Sequence, residues 1–173
     1  MVDVEVRAAT TEDAPAIARV HVRSWQAAYR GLIHDEHLDA LDENARADGW
    51  RAAIRSGRGR VLVADTRCEV VGFAALMASR DDDAEPECGE VGAIYLVQEV
   101  WGRGLGRALM DVSLERLTHD GFTEATLWVL RGNERAIRFY ERAGFRPDGT
   151  EKTDESRGYP LHELRYRRPL TGP

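Results

Sequence analysis

Gly102, Gly104 and Gly106 alternate through Trp101-Gly102-Arg103-Gly104-Leu105-Gly106-Arg107, directly after an apolar run and directly before an amphipathic one. A strand-to-helix turn of this kind can cradle an anion. The first turn of a helix leaves backbone N–H groups without intrahelical partners, and the aligned peptide dipoles add partial positive charge there. Glycine removes the side chains that would hold a diphosphate away from the backbone. Arg103 and Arg107 place cationic side chains beside the same turn. An ordinary glycine-rich turn shares this spacing, so the discriminating question is which phosphate chemistry the run can serve.

Two familiar phosphate motifs fail here. A Walker loop needs Gly-Lys followed by Ser or Thr, whereas the run reads Gly106-Arg107-Ala108. A dinucleotide fingerprint needs a third glycine three residues after the second, and Arg107 or Leu109 stands there, depending on which pair leads. Glu124 lies at about the distance expected of a ribose-binding carboxylate, but it begins a strand rather than ending one. Nucleotide hydrolysis and hydride transfer are therefore disfavoured.

The region around this run resembles the GNAT-type N-acetyltransferase superfamily. That family's signature is Gln or Arg, two variable residues, Gly, one variable residue, then Gly or Ala; residues 101–106 match it except that Trp101 replaces Gln or Arg. The apolar run Glu90-Val91-Gly92-Ala93-Ile94-Tyr95-Leu96 precedes it, and a second match follows, with Asn133 ahead of Tyr140-Glu141-Arg142-Ala143-Gly144-Phe145. The resemblance implies acetyl-CoA as co-substrate. It implies a backbone cradle at Trp101, Gly102, Arg103, Gly104, Leu105, Gly106 and Arg107, a pantetheine arm paired with the backbone of Ile94, Tyr95 and Leu96, and a hydrogen bond from Asn133 to that arm.

Acetyl transfer from a thioester to an amine needs a neutral amine, a stabilised oxyanion and a proton for the departing thiolate. An alkylamine with a pKa near 10.4 is mostly protonated at neutral pH and needs a base or a water path. By the resemblance, Glu90 stands where histone-modifying members carry their carboxylate, with Glu87 as a substitute; the alternative for Glu90 is an exposed strand-end glutamate. The Leu96 N–H is the expected oxyanion donor, since a donor fixed in advance needs no reorganisation as charge develops. Tyr140 matches the family's tyrosine and is the expected acid, against a plain packing role beside Phe139 and Phe145. Asn133 can also cap a helix. Trp25 and Tyr29 are spaced by four on one helical face, fit either for the core or for contact with the amine substrate. His21, His34 and His37 have no metal-ligand spacing and read as surface or supporting residues, so no metal is expected.

The elements that position these residues follow from patterning. Val2 to Val6 alternates as a strand; Thr10 or Thr11 caps a helix ending near Gly31; helical segments follow at about Asp35 to Leu41 and Glu43 to Ser56. Arg60 to Asp65 and Glu69 to Ser79 form a hairpin, Gly89 to Val97 a fourth strand, Gly104 to His119 a helix, Thr123 to Leu130 a strand, Asn133 to Ala143 a helix, and the closing strands lie near Phe145 to Thr150 and His162 to Arg167. The expected fold is a single α/β domain over residues 1–173. It has a mixed, mostly antiparallel central sheet, flanking helices and, by the resemblance, a fourth and fifth strand that splay apart.

Composition agrees with a globular chain: 173 residues, 43% hydrophobic, 31% charged. Cys68 and Cys88 form no C-x-x-C pair, which points to a reducing compartment, and they lie outside both signatures, which disfavours a cysteine nucleophile. Neither a secretory signal nor a membrane-length apolar run is present, so a cytoplasmic protein without membrane contact is expected. The net charge of −6 argues against nucleic-acid binding and favours a cationic partner. Arg131, Arg135, Arg138 and Arg142 still gather in the second signature, and the acidic run Asp81 to Glu87 precedes the fourth strand. The expectation is acetyl transfer to a primary amine of a small molecule such as a polyamine or aminoglycoside-like cation. A protein N-terminus or lysine is the alternative within the class, and a non-catalytic acyl-CoA sensor the alternative outside it. A homodimer, common in the family, is a further expectation.

Overall fold

The computed structural model describes residues 4–170. The chain runs β1 (Glu5–Ala8), α1 (Ala14–Tyr29), α2 (Asp35–Asp39), α3 (Glu43–Ser56), β2 (Arg60–Asp65), β3 (Val70–Ala78), β4 (Cys88–Leu96), α4 (Leu105–His119), β5 (Glu124–Leu130), α5 (Glu134–Arg142), β6 (Arg146–Asp154) and β7 (Leu161–Pro169). The order and type of elements are those expected. The start of the first predicted strand, Val2 and Asp3, lies outside the described residues.

Local chemistry accounts for the boundaries. A short 3-10 turn, Thr11–Asp13, leads into α1, and Asp13 accepts from the Thr10 backbone N–H at 2.7 Å while Arg7 grips its carboxylate at 2.8 and 2.9 Å. Asp42 caps α3 by accepting from the N–H groups of Asn44 and Ala45, and Gly57, at φ +62°, closes the helix in the left-handed region that glycine tolerates best.

The seven strands form one sheet in the order β1-β2-β3-β4-β5-β7-β6, antiparallel throughout except for the β4–β5 pair. Successive side chains face opposite layers: Leu62, Ala74 and Leu76 pack beneath α4 with Leu109, Met110 and Leu117, while Val63 and Phe73 pack with Ile17 and Val20 of α1. A third cluster joins Trp25 of α1 to Ile33, Leu38, Leu130 and Leu161. No helix among the described residues is long and apolar enough to cross a membrane.

β4 and β5 pair only at Cys88↔Glu124, Gly89↔Ala125 and Glu90↔Thr126. Beyond Glu90, β4 continues against β3 as far as Leu96, and β5 continues against β7 as far as Leu130, so a wedge opens between them. An extra residue in β4, Gly92, interrupts the β3–β4 register between Ala75↔Ala93 and Leu76↔Val91. A bulge of this kind increases local twist and turns the strand aside.

Candidate active site

Gly102 (φ +74°) and Gly104 (φ +85°) take left-handed conformations that carry the chain from β4 into α4, and Gly104 is the helix N-cap. The first bond across the cap runs from the Ala108 N–H to the Gly104 carbonyl at 3.1 Å. The N–H groups of Leu105, Gly106 and Arg107 therefore point out of the helix end without intrahelical acceptors, and no acidic residue stands in the first turn. A cleft of about 500 Å³ starts here, lined by Gly102, Gly104, Gly106 and Arg107, then by Arg135, Arg138 and Arg142 of α5. This donor set fits a diphosphate. Arg107 is tied to Asp111 at 2.7 Å, Arg103 lies exposed outside the cleft lining, and the Leu105 side chain is buried in the core, so Leu105 offers its backbone alone.

Trp101, the departure from the family signature, has two partners. Its indole N–H donates to the Leu96 carbonyl at 2.8 Å, pinning the loop to the end of β4. The Arg135 guanidinium lies 3.2 Å from the centre of its ring, within cation–π range. A cation thus reaches this rim of the cleft from α5 rather than from residue 101. Arg131, at the other end of the arginine group, is engaged by Glu151.

The wedge exposes main chain. The Val97 N–H donates to the Val71 carbonyl at 2.9 Å, which sets the phase of the β3–β4 ladder. Opposed residues in an antiparallel ladder alternate between bonded and non-bonded pairs, so Phe73↔Tyr95 is bonded while Gly72↔Leu96 and Ala74↔Ile94 turn their polar groups outward. The backbone groups of Ile94 and Leu96 therefore face the wedge, and those of Tyr95 face β3. Tyr95 reaches the site through its side chain instead.

Tyr140 projects from α5 into the wedge, 9% exposed, with its ring 5.5 Å from Phe139 and 6.3 Å from Phe145. Burial, with the neighbouring Tyr95 phenol, pushes its pKa well above the ordinary phenol value, so it stays protonated and able to donate. Asn133 caps α5 by accepting from the Ala136 N–H at 3.3 Å and also lines the cleft.

A second, polar cleft of about 540 Å³ opens on the far side of the wedge and shares Tyr29, Gly92, Tyr95 and Trp128 with the first. Trp25 and Tyr29 pack edge to face at 5.0 Å, and both line it. Trp25 is also core, 4% exposed, with the guanidinium carbons of Arg157 and Arg46 at 5.0 and 5.8 Å from its ring centre. Burial and the neighbouring Tyr95 and Tyr140 phenols hold Tyr29 protonated, with Glu163 adding to the effect.

Glu90 lines this cleft but is not an exposed strand-end residue. It is 2% exposed, and its two oxygens accept from the Arg80 backbone N–H and guanidinium at 2.6 to 3.3 Å. Glu87 is exposed and lines neither cleft. Glu163 of β7, which pattern reading does not single out, faces the cleft, and burial pushes its carboxyl pKa up against the opposing pull of Lys152 at 3.7 Å.

Two carboxylates of the acidic run, Asp81 and Asp83, are committed to structural partners. Asp83 takes both guanidinium arms of the buried Arg165 at 2.6 and 2.7 Å, and Asp81 accepts from Arg165 at 3.2 Å and from the Trp128 indole at 3.0 Å. His21 is not a surface residue: it is 7% exposed, stacked on Tyr95 at 5.4 Å, and its Nδ1 accepts from the Trp50 indole at 3.1 Å. Burial, with the nearby charges of Arg46 and Arg157, lowers its pKa to about 3. Among the described residues no cluster of three or more His, Cys, Asp or Glu is arranged to hold a metal.

The sequence matches the profile of the Acetyltransferase (GNAT) family over residues 19–145. It is 37% identical over 138 residues to the uncharacterized N-acetyltransferase YuaI of Bacillus subtilis (strain 168), covering 80% of this chain and 78% of that protein. An N-acetyltransferase of Archaeoglobus fulgidus is 31% identical over 138 residues, covering 79% and 89%. In fold it is similar to the PaiA N-acetyltransferase of Thermoplasma acidophilum, solved in complex with coenzyme A, with a TM-score of 0.80 at 22% identity over 96% of this chain and 99% of that one. YncA of Salmonella typhimurium, solved with acetyl-CoA, gives 0.73 at 21% identity over 99% and 96%. With the glycine cradle, the wedge and these relationships together, the chain belongs to the GNAT family of acetyl-CoA-dependent N-acetyltransferases.

Proposed function

We propose that this enzyme acetylates the primary amine of a small molecule by direct transfer, with both substrates held at once. The observation that carries the proposal is the meeting of the two clefts at Tyr29, Gly92, Tyr95 and Trp128, which supports a shared reaction centre at the wedge. The cradle at α4 and the arginines of α5 would hold the diphosphate of the co-substrate, and Ile94 and Leu96 its amide-bearing arm, with Asn133 hydrogen-bonding that arm. Bound acetyl-CoA supplies the activated acetyl group as a thioester.

The chain's own residues divide the remaining work. The outward Leu96 N–H is placed to donate to the developing oxyanion. Tyr140, kept protonated by burial, is the donor to the departing sulfur. For the amine proton, Glu163 is the better base than Glu90, because burial raises its pKa above the ordinary carboxylate value and its one ion pair, with Lys152 at 3.7 Å, is long, while Glu90 is bound closely by Arg80. Glu90 then serves as a wall of the acceptor cleft. The cysteines lend no support to an acyl-enzyme: Cys88 is buried, with its thiol pKa raised by that burial, and Cys68 is exposed and lines neither cleft.

The test is thiol release from acetyl-CoA against a panel of primary amines, with the product identified by mass. Release with at least one amine supports the reading. Tight binding of acetyl-CoA without release for any amine overturns it and favours a sensor.

A further inference from the structure

The sequence holds one lysine against twenty-three arginines, and that lysine, Lys152 of β6, lines the acceptor cleft. Its ammonium lies 4.0 Å from the ring centre of Trp128, within cation–π range, and 3.7 Å from a carboxylate oxygen of Glu163. Trp128 is a wall that this cleft shares with the donor side, and its indole N–H is fixed by Asp81 at 3.0 Å. The other two cations that line the cleft are gripped more closely, Arg80 by Glu90 at 2.6 Å and Arg157 by Asp154 at 2.9 Å. Of the three, only Lys152 is held at a distance too long for a hydrogen bond, and its side chain stays 41% exposed. Lysine is also the cation suited to release: a compact charge on a flexible stem, without the planar fork that lets arginine bind a carboxylate through two parallel bonds. An aromatic face beside a carboxylate is a recognition set for an alkylammonium, and here an alkylammonium of the chain itself fills it.

We infer that Trp128 and Glu163 form the subsite for the acceptor's ammonium, and that Lys152 is a resident cation which the acceptor displaces on binding. The inference rests on the acetyl-transfer function proposed above and names its substrate class, a primary alkylamine that arrives protonated. The exchange conserves charge, so Glu163 keeps a cation beside it as the amine enters. Of the two protons the ammonium then loses, one leaves through Glu163 and the other replaces the one Tyr140 gives to the departing sulfur, as the N–C bond forms and the C–S bond breaks. The product is a neutral amide with no charge to offer Trp128 or Glu163. Once Glu163 passes its proton to solvent, Lys152 returns and assists product release. While paired with Glu163, Lys152 is protonated and has no lone pair to offer the thioester, which keeps the chain from acetylating itself.

The probe is n-butylamine, with n-butanol as its neutral counterpart at equal ionic strength. Reductive methylation with isotope-labelled formaldehyde marks the sole lysine, separately from the α-amino signal, and retains its charge. At neutral pH n-butylamine should move the methyl resonance saturably, away from the upfield position the Trp128 ring imposes and towards that of dimethyllysine free in solution, and n-butanol should leave it in place. Calorimetry should give n-butylamine a dissociation constant about 5- to 10-fold lower in Lys152→Met than in wild type, the range set by a part-exposed ion pair and a cation–π contact, and near the wild-type value in Lys152→Arg. Acetyl-CoA affinity within about twofold of wild type in both shows that the variants fold. A resonance that n-butylamine leaves in place, an equal response to n-butanol, or a dissociation constant unchanged or raised in Lys152→Met would each overturn the inference. None of these measurements needs turnover, so absence of thiol release with every amine would remove the function on which the inference rests and is told apart from them.

Discussion

His21 makes the stability of the acceptor cleft depend on pH, and His21→Gln isolates that dependence. The imidazole lies beneath Tyr95, and its Nδ1 is occupied by the Trp50 N–H, so the residue is neutral with its proton on Nε2. Its pKa is lowered to about 3. An unfolded histidine titrates near 6.5, so between these values the unfolded chain binds a proton that the folded chain refuses, and stability falls as pH falls through the unfolded value. Lowering the pH from about 7.5 to about 5 should remove about 2 kcal/mol, and the loss should continue until about pH 3. Glutamine can still accept from Trp50 but has no proton to gain. Urea unfolding at a series of pH values reads the effect as a difference in slope between wild type and variant, which cancels the opposite contribution of Glu163. Asp13 and Asp83, each lowered to about 2 by arginine, release their stabilisation between about pH 4 and pH 2, below the 7.5-to-5 range, and equally in both proteins. Parallel slopes in the two proteins would refute the reasoning, because they would mean that His21 is hydrated or already charged in the folded state.

Three more outcomes are expected. Tyr140→Phe should lower kcat by about 10²- to 10³-fold with the acetyl-CoA dissociation constant within about twofold of wild type, as measured by thiol release and calorimetry; unchanged turnover would remove Tyr140 from proton transfer. Gly104→Ala forces a side chain into φ +85° and should cost about 1–2 kcal/mol in thermal or urea unfolding while weakening acetyl-CoA binding; wild-type values for both would mean that the cap tolerates a side chain. Arg165→Met leaves the largely buried Asp81 without its cation and Asp148 with Arg167 alone, and should destabilise the fold by about 3 kcal/mol in urea; a loss under 1 kcal/mol would show that the acidic loop holds itself.

The donor side of the site was legible because its chemistry is local. An alternating glycine run, an apolar strand before it and Asn133 to Phe145 after it are contiguous patterns, and the elements they mark form in that order. The acceptor side was legible only in Trp25 and Tyr29, which share a helical face. Arg157 and Glu163 come from a turn and an edge hairpin, where a charged residue reads as solvated, and only the tertiary packing brings them to one cleft. Glu90 lies near the start of β4, as the sequence indicates, at the last pairing of that strand with β5, but its ion pair with Arg80, ten residues earlier across the β3–β4 connection, leaves no local trace. The length of β6 was missed for a related reason: it is an exposed, charged edge strand and lacks the apolar alternation that marks a buried one. The backbone phase of Tyr95 follows from a hydrogen-bond register that composition does not encode.

Simultaneous occupation of the wedge by donor and acceptor is the central claim, and initial-velocity kinetics with acetyl-CoA and amine varied together test it most directly. Direct transfer predicts reciprocal plots that intersect, and a protein mass that stays unacetylated after incubation with acetyl-CoA alone. Parallel plots with a protein carrying one acetyl group would contradict it, because they require the acetyl group to pass through the chain before the amine arrives.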